Sequence, residues 1–98
     1  MPETGLTFHR TPEVLSQKTA QGQVLLRVHD GSYYDLNEVG ARIWELCDGT
    51  HTIDQIAIVI AEEFEAPIDQ IRADVAELLD DLGREGLVEH GLVQHPKS

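Results

Sequence analysis

Between Gln23 and Val28 the chain alternates, with Val24, Leu26 and Val28 on one side of an extended backbone and Gln23, Leu25 and Arg27 on the other. Asp30-Gly31 follows, flanked by Arg27-Val28-His29 and Ser32-Tyr33-Tyr34. An Asp-Gly pair supplies the positive-φ residues of a two-residue hairpin turn, so the pattern predicts a β-hairpin here. Val14 to Gln21 can also alternate and is read as a further strand, and Leu6-Thr7-Phe8 as a short one inside an N-terminal arm marked by Pro2, Gly5 and Pro12.

After Leu36 the period becomes helical. Leu36, Val39, Ile43 and Leu46-Cys47 form one stripe, with Asn37 as N-cap and Gly49 as the stop. Thr52 and Gln55 make a capping box for a second helix whose buried face is Ile53, Ile56, Ala57, Ile60, Ala61 and Phe64. Ile58 and Val59 lie off that stripe, which predicts a largely covered helix. Pro67 suits the first position of a third helix, and Asp69 the positive end of its dipole. Ile68, Ile71, Val75, Leu78, Leu79 and Leu82 carry that helix to Gly86, with Leu87 returning to Leu82 in a Schellman ending. A short strand at Leu87-Val88 can follow.

The order is strands, then three helices. It predicts an α+β fold, winged-helix-like, with a small antiparallel sheet of two to three N-terminal strands and the helices on one side of it. Residues 1–12 read as the arm, 13–93 as the domain and 94–98 as a flexible tail. A sheet this small has open edges, whose unpaired backbone groups can take up another extended chain.

Charge narrows the partners. Lys and Arg number 7 against 18 Asp and Glu, a net charge of −11, which repels a phosphate backbone and argues against nucleic acid. No apolar run is long enough to span a bilayer, the N-terminus lacks a signal-peptide pattern, and Cys47 is the single cysteine, so a cytoplasmic protein without membrane association is expected.

Candidate chemistry is sparse. Cys47 and His51 are four residues apart and His90 and His95 five, but no set of four convergent ligands accompanies either pair, and no metal is expected. Cys47-His51 as nucleophile and base lacks an orienting third group and an oxyanion-holding turn, so no catalytic residue is assigned. Glu62-Glu63-Glu65 and Asp80-Asp81 read as solvated helix faces. Phosphate-binding glycine motifs are missing, and no cofactor is expected.

Trp44 reads as core, whereas adjacent Tyr33 and Tyr34 must point to opposite faces of their strand. The outward tyrosine is open to two readings, cross-strand packing or contact with a bound peptide. On the third helix, Ile71, Val75, Leu78 and Leu82 set the core direction, and Leu79, Arg72, Ala76 and Asp69 fan out along one flank. If that flank lies beside Ser32–Leu36, the space between is a groove suited to strand addition; otherwise it is an ordinary half-exposed helix surface.

The run from Val24 through the hairpin, Tyr33-Tyr34-Asp35-Leu36-Asn37 and Gly40-Ala41-Arg42-Ile43-Trp44-Glu45-Leu46, then Asp48-Gly49-Thr50 and the closing Leu82-Gly83-Arg84-Glu85-Gly86-Leu87-Val88, resembles the PqqD-like family. The likeness covers about residues 14–90. It implies a non-catalytic recognition element that binds the leader of a ribosomally made precursor peptide as an added strand and presents it to a modifying enzyme. Carried onto this chain, the peptide would contact Ser32, Tyr33, Tyr34, Asp35 and Leu36 on the strand and Asp69, Arg72, Ala76 and Leu79 on the helix. Within the family the chain looks most like the partners of lasso-peptide leader peptidases. The PqqD type, serving a radical enzyme of quinone-cofactor synthesis, is the alternative. A winged-helix DNA-binding protein is the competing class, disfavoured by Asp69, Asp74, Glu77, Asp80 and Asp81 on the third helix.

Overall fold

The computed structural model describes residues 6–92. Six strands and three helices follow in the order β1 (Leu6–Arg10), β2 (Val14–Thr19), β3 (Gly22–Arg27), β4 (Tyr33–Asn37), α1 (Glu38–Glu45), β5 (Asp48–Thr52), α2 (Ile53–Phe64), α3 (Ile68–Arg84) and β6 (Val88–Leu92). They build an α+β fold with two antiparallel three-stranded sheets, ordered β2-β3-β4 and β5-β1-β6. The expectation of one small N-terminal sheet is thereby corrected. The N-terminal strand β1 is the centre of a second sheet, pairing Phe8 with His90 and Thr7 with Thr52. The remainder of the expected arm, residues 1–5, and the expected tail, 94–98, lie outside the described residues.

The β3–β4 hairpin forms, but its turn is longer than the two residues expected. Arg27 N–H donates to Ser32 O at 2.9 Å and Gly31 N–H to Arg27 O at 2.9 Å, enclosing residues 28–31. Of those four residues only Gly31 has positive φ, at 74°. Asp30 contributes its carboxylate instead. It accepts from Ser32 N–H at 3.1 Å, the Ser32 hydroxyl at 2.9 Å, and Arg27 Nε and Nη2 at 3.1 and 2.9 Å. These bonds fasten the loop and hold the Asp30 carboxyl well below the usual carboxylate range. Inside the hairpin the buried face is Gln23 and Leu25, while Val24 and Leu26 lie on the side away from the core.

Helix ends follow local chemistry. Asn37 Oδ1 accepts from Gly40 N–H at 2.8 Å to start α1. The Thr52–Gln55 capping box starts α2, with bonds of 3.2 and 2.9 Å. Pro67 occupies the N-cap of α3, one residue earlier than expected. Leu87 N–H donates to Leu82 O at 2.9 Å and Gly86 N–H to Gly83 O at 3.1 Å, the two bonds of a Schellman ending. Gly49 does not stop α1, which already ends at Glu45; with φ 90° it lies within β5. Ile58 remains 48% exposed, so α2 is covered on one face only.

A single core joins both sheets to all three helices through Phe8, Leu25, Leu36, Ile43, Trp44, Ile56, Ile60, Val75, Leu79 and Leu82. Burying each large apolar side chain contributes about 1.5–3 kcal/mol. Arg10 ties β1 to the C-terminal end of α1: its Nη1 donates to Trp44 O at 3.1 Å, which also accepts from Cys47 N–H, and to Glu45 O at 2.9 Å, at the negative end of the helix. Arg42 clamps α1 to α2 by a two-pronged pair with Glu63, both bonds 2.8 Å.

Candidate functional site

β4 is an edge strand. Among the described residues it pairs with β3 alone, Leu25 opposite Tyr34 and Gln23 opposite Leu36, and no described strand meets its other side. Because Arg27 and Ser32 form a hydrogen-bonded pair, antiparallel alternation makes Tyr34 and Leu36 face β3 through their backbone. The N–H and C=O groups of Tyr33 and Asp35 therefore point to the open edge. Side chains alternate the other way: Leu36 is buried and Tyr34 half-buried, while Tyr33 is 71% exposed and Asp35 exposed.

A groove of about 410 Å³ runs beside this edge. One wall is β4 from Tyr34 to Asn37, the floor is Val39, Gly40 and Ile43 of α1, and the far wall is Ile71, Asp74 and Leu78 of α3. Gly40 is buried at the start of α1, where an added Cβ would press on Leu36 at 3.3 Å. Near the hairpin loop a shallow hollow is lined by Arg27, Tyr34, Glu85 and Leu87. Burial, with Asp81 and Glu85 nearby, raises the Tyr34 hydroxyl above its ordinary value. Asp35 lends the groove wall its backbone while its side chain points to the outer face, which leaves the Asp74 carboxylate and no basic residue along the groove, so the site favours neutral or cationic side chains.

Of the residues singled out from the sequence, Tyr34, Asp35 and Leu36 line the groove, and Tyr33 sits on its strand facing outward. Ser32 lies in the turn, bonded to Asp30. The helix positions lie elsewhere. Leu79 is 2% exposed and belongs to the core. Arg72 donates to Asp54 of α2 at 2.8 Å and pairs with Asp69 at 3.6 Å. Ala76 borders a different hollow with Leu6, Phe8 and His90 of the second sheet. The flank facing β4 is the opposite one, Ile71, Asp74 and Leu78. The sequence pattern aims the core at Ile71, Val75, Leu78 and Leu82, whereas the buried stripe is Ile71, Val75, Leu79 and Leu82. Rotation of the helix by that amount exchanges Leu78 and Leu79. The signal was the second sheet: once Leu6, Phe8 and Val88 are strand residues, the Ala76–Leu79 flank faces that sheet and not β4.

Cys47 and His51 do not form a reactive pair. Cys47 is buried, donates from Sγ to Ile43 O at 3.3 Å, and burial pushes its thiol up to about 12. His51 Nδ1 lies 3.0 Å from Asp48 Oδ1. Among the described residues no group of three or more His, Cys, Asp or Glu is arranged to hold a metal, and no helix is long and apolar enough to cross a membrane.

The family model for coenzyme PQQ synthesis protein D (PqqD) matches residues 22–88, from the start of β3 to the start of β6. The chain belongs to the PqqD family. Its members are non-catalytic peptide binders. The chain is similar to the PqqA binding protein of Xanthomonas euvesicatoria pv. vesicatoria (strain 85-10), 32% identical over 90 residues, covering 87% of this chain and 97% of that one. It also resembles lasso peptide synthetase B1 solved with its leader peptide, at TM-score 0.74 and 28% identity over 84% of this chain and 96% of that one. The PqqD part of Methylobacterium extorquens PqqCD, described as a stand-alone recognition element for ribosomally made, modified peptides, shares the fold at TM-score 0.70 and 24% identity over 84% and 87% of the chains.

Proposed function

We propose that this PqqD-family chain binds the leader segment of a ribosomally made precursor peptide as an added strand on β4 and presents it to a modifying enzyme. The observation that carries the reading is the open edge of β4 set against the groove walled by Ile71, Asp74 and Leu78. An extended peptide there gains main-chain bonds from Tyr33 and Asp35, and every second side chain enters the groove. Asp69, Arg72, Ala76 and Leu79 are replaced in this reading by the helix residues that border the groove.

The precursor is of the PqqA type and the modifying enzyme a radical enzyme of quinone-cofactor synthesis. Support comes from the matched family model and from a relative named as a PqqA binding protein that aligns over nearly its whole length. A second reading, service to a lasso-peptide leader peptidase, is favoured by the fold match to lasso peptide synthetase B1. DNA binding has little to support it: α3 is acidic, and Arg72 and Arg84 are engaged with Asp54, Asp69 and Asp80.

Calorimetric titration with synthetic leaders of a PqqA-type and a lasso-type precursor tests the assignment. Saturable one-to-one binding of the PqqA-type leader, tighter than that of the lasso type by about tenfold, or 1.4 kcal/mol, is expected. The reverse order moves the chain to the second reading, and no binding of either leader contradicts both.

A further inference from the structure

The hairpin sheet has a second face that the groove does not use. Register places Leu15 opposite Leu26, Leu26 opposite Tyr33, Gln17 opposite Val24 and Val24 opposite Asp35, so these side chains share the side turned away from the core. Leu15 is 60% exposed and Tyr33 71% exposed, and Val24 and Leu26 lie half-exposed between them. The row Leu15–Leu26–Tyr33 thus crosses all three strands as an uncovered apolar ladder. Asp35 is the one charged residue among these six, on a chain whose net charge is −11. An open hollow of about 670 Å³ lies over this face, bordered by Leu15, Val24, Leu26 and Tyr33 and, along β2, by polar residues of which Lys18 is the one charged group. A charge-depleted apolar centre within a charged surround is the anatomy of a protein interface.

Two observations decide what covers it. Three strands of this length, about 4.8 Å apart and rising about 3.3 Å per residue, present a face of roughly 280 Å². A stable complex buries about 800 Å² on each partner, so the face alone is too small for a lasting pair of identical copies. Two copies each carrying −11 also repel, whereas a partner with a basic rim is attracted. The occupant is therefore a different protein that docks transiently. The second observation is continuity. Tyr33 and Asp35 put their side chains on this face and their free backbone groups on the β4 edge. A peptide strand added at that edge extends the same sheet, and half of its side chains join the same face.

We infer that the outer face of the β2-β3-β4 sheet is the docking surface for the enzyme that modifies the bound peptide, an apolar-centred, basic-rimmed protein surface that contacts the face and the added peptide strand together. The inference rests on the proposed leader binding and adds to it where the enzyme sits. It carries a consequence that simple tethering does not: the enzyme binds more tightly once the leader occupies β4, because the docked surface then includes a fourth strand. Binding the leader and binding the enzyme become mutually reinforcing by the same factor.

The test uses the full chain, a synthetic PqqA-type precursor and the purified radical enzyme that modifies it. Leu15→Thr and Val24→Thr are combined in one variant. Both positions are on strands away from the β4 edge, and Thr retains the strand preference of the residues replaced. Unchanged thermal unfolding establishes that the variant is folded. Leader affinity of the variant is expected within about twofold of the parent, while enzyme docking weakens at least tenfold and loses its enhancement by leader. Undiminished docking of the variant, with leader binding intact in both proteins, overturns the surface assignment alone. Failure of the parent chain to bind the leader is read in a separate titration without enzyme, and defeats the function reading on which the inference stands. Dimerisation of the parent, abolished in the variant, gives the face to a second copy and overturns the inference as well.

Discussion

Tyr34 of β4 and Leu78 of α3 stand on opposite walls of one groove, each half-buried, with Ile43 of α1 between them at the floor. That relationship makes Leu78 the helix residue on which a bound strand would rest. Replacing Leu78 by Asn is expected to weaken leader binding about tenfold or more, since a polar group then meets the apolar side chain that fills the groove. Arg72→Ala is expected to leave leader affinity within about twofold, because Arg72 is directed to Asp54 and Asp69. Calorimetry on the two variants checks both. The opposite ranking would place the site on the other flank of α3.

Cys47 is packed in the core, with its thiol bonded to the Ile43 carbonyl. Its thiol, buried and raised to about 12, is expected to remain unmodified by thiol reagents in native protein near pH 8 and to react fully once the chain is unfolded. The comparison is made with a chromogenic disulfide reagent with and without denaturant. Rapid native labelling would show that the core around Cys47 opens.

Acid sensitivity should appear in β5. Asp48 Oδ1 accepts from the Thr50 hydroxyl at 2.6 Å, the Thr50 N–H at 3.0 Å and His51 at 3.0 Å, and these bonds lower its carboxyl from 3.8 to about 2. A depressed carboxyl stabilises the fold above its unfolded value, and the contribution is lost as pH falls through the folded one. Asp48→Asn is therefore expected to lower the melting temperature at neutral pH, and the gap to the parent should close between 3.8 and about 2. Melting curves across that window decide it. A gap that persists in acid would assign the loss to shape and not to charge.

Gly22 marks the end of the hairpin sheet nearest α1. A Cβ there would collide with the carbonyl oxygen of Leu36 and the backbone of Asn37, its partner across the ladder. Gly22→Ala is expected to cost about 1–3 kcal/mol in urea unfolding and to loosen β4 against β3. A neutral outcome would mean that the Leu36–Asn37 backbone can shift freely, which is at odds with its fixing the N-cap of α1.

What the sequence made legible was local. The hairpin, the Thr52–Gln55 capping box, the Asn37 cap and the Gly86–Leu87 ending all depend on residues a few positions apart, and each appears in the structure. Asp30 illustrates the limit of that reading. Its position before Gly31 signalled a turn, but its carboxylate bonds to Ser32 and Arg27 select a longer loop than the dipeptide alone implies. β5 escaped because Asp48–Thr52 is polar and becomes a strand only by pairing with β1, far away in the chain. The groove was half legible for the same reason. Its strand wall is set by alternation within β4, while its helix wall depends on how α3 is rotated by a sheet made of both ends of the chain. Leu78 and Leu79, adjacent leucines on one helix, could be ordered only by that long-range packing.

The most direct test of strand addition is amide hydrogen exchange of the chain with and without leader peptide. Leader binding on β4 predicts strongly slowed exchange at the N–H groups of Tyr33 and Asp35, which face the open edge, with little change at Tyr34 and Leu36, already turned toward β3. Unchanged exchange at Tyr33 and Asp35 in a leader-saturated sample, with new protection on β2 or β6, would contradict the account.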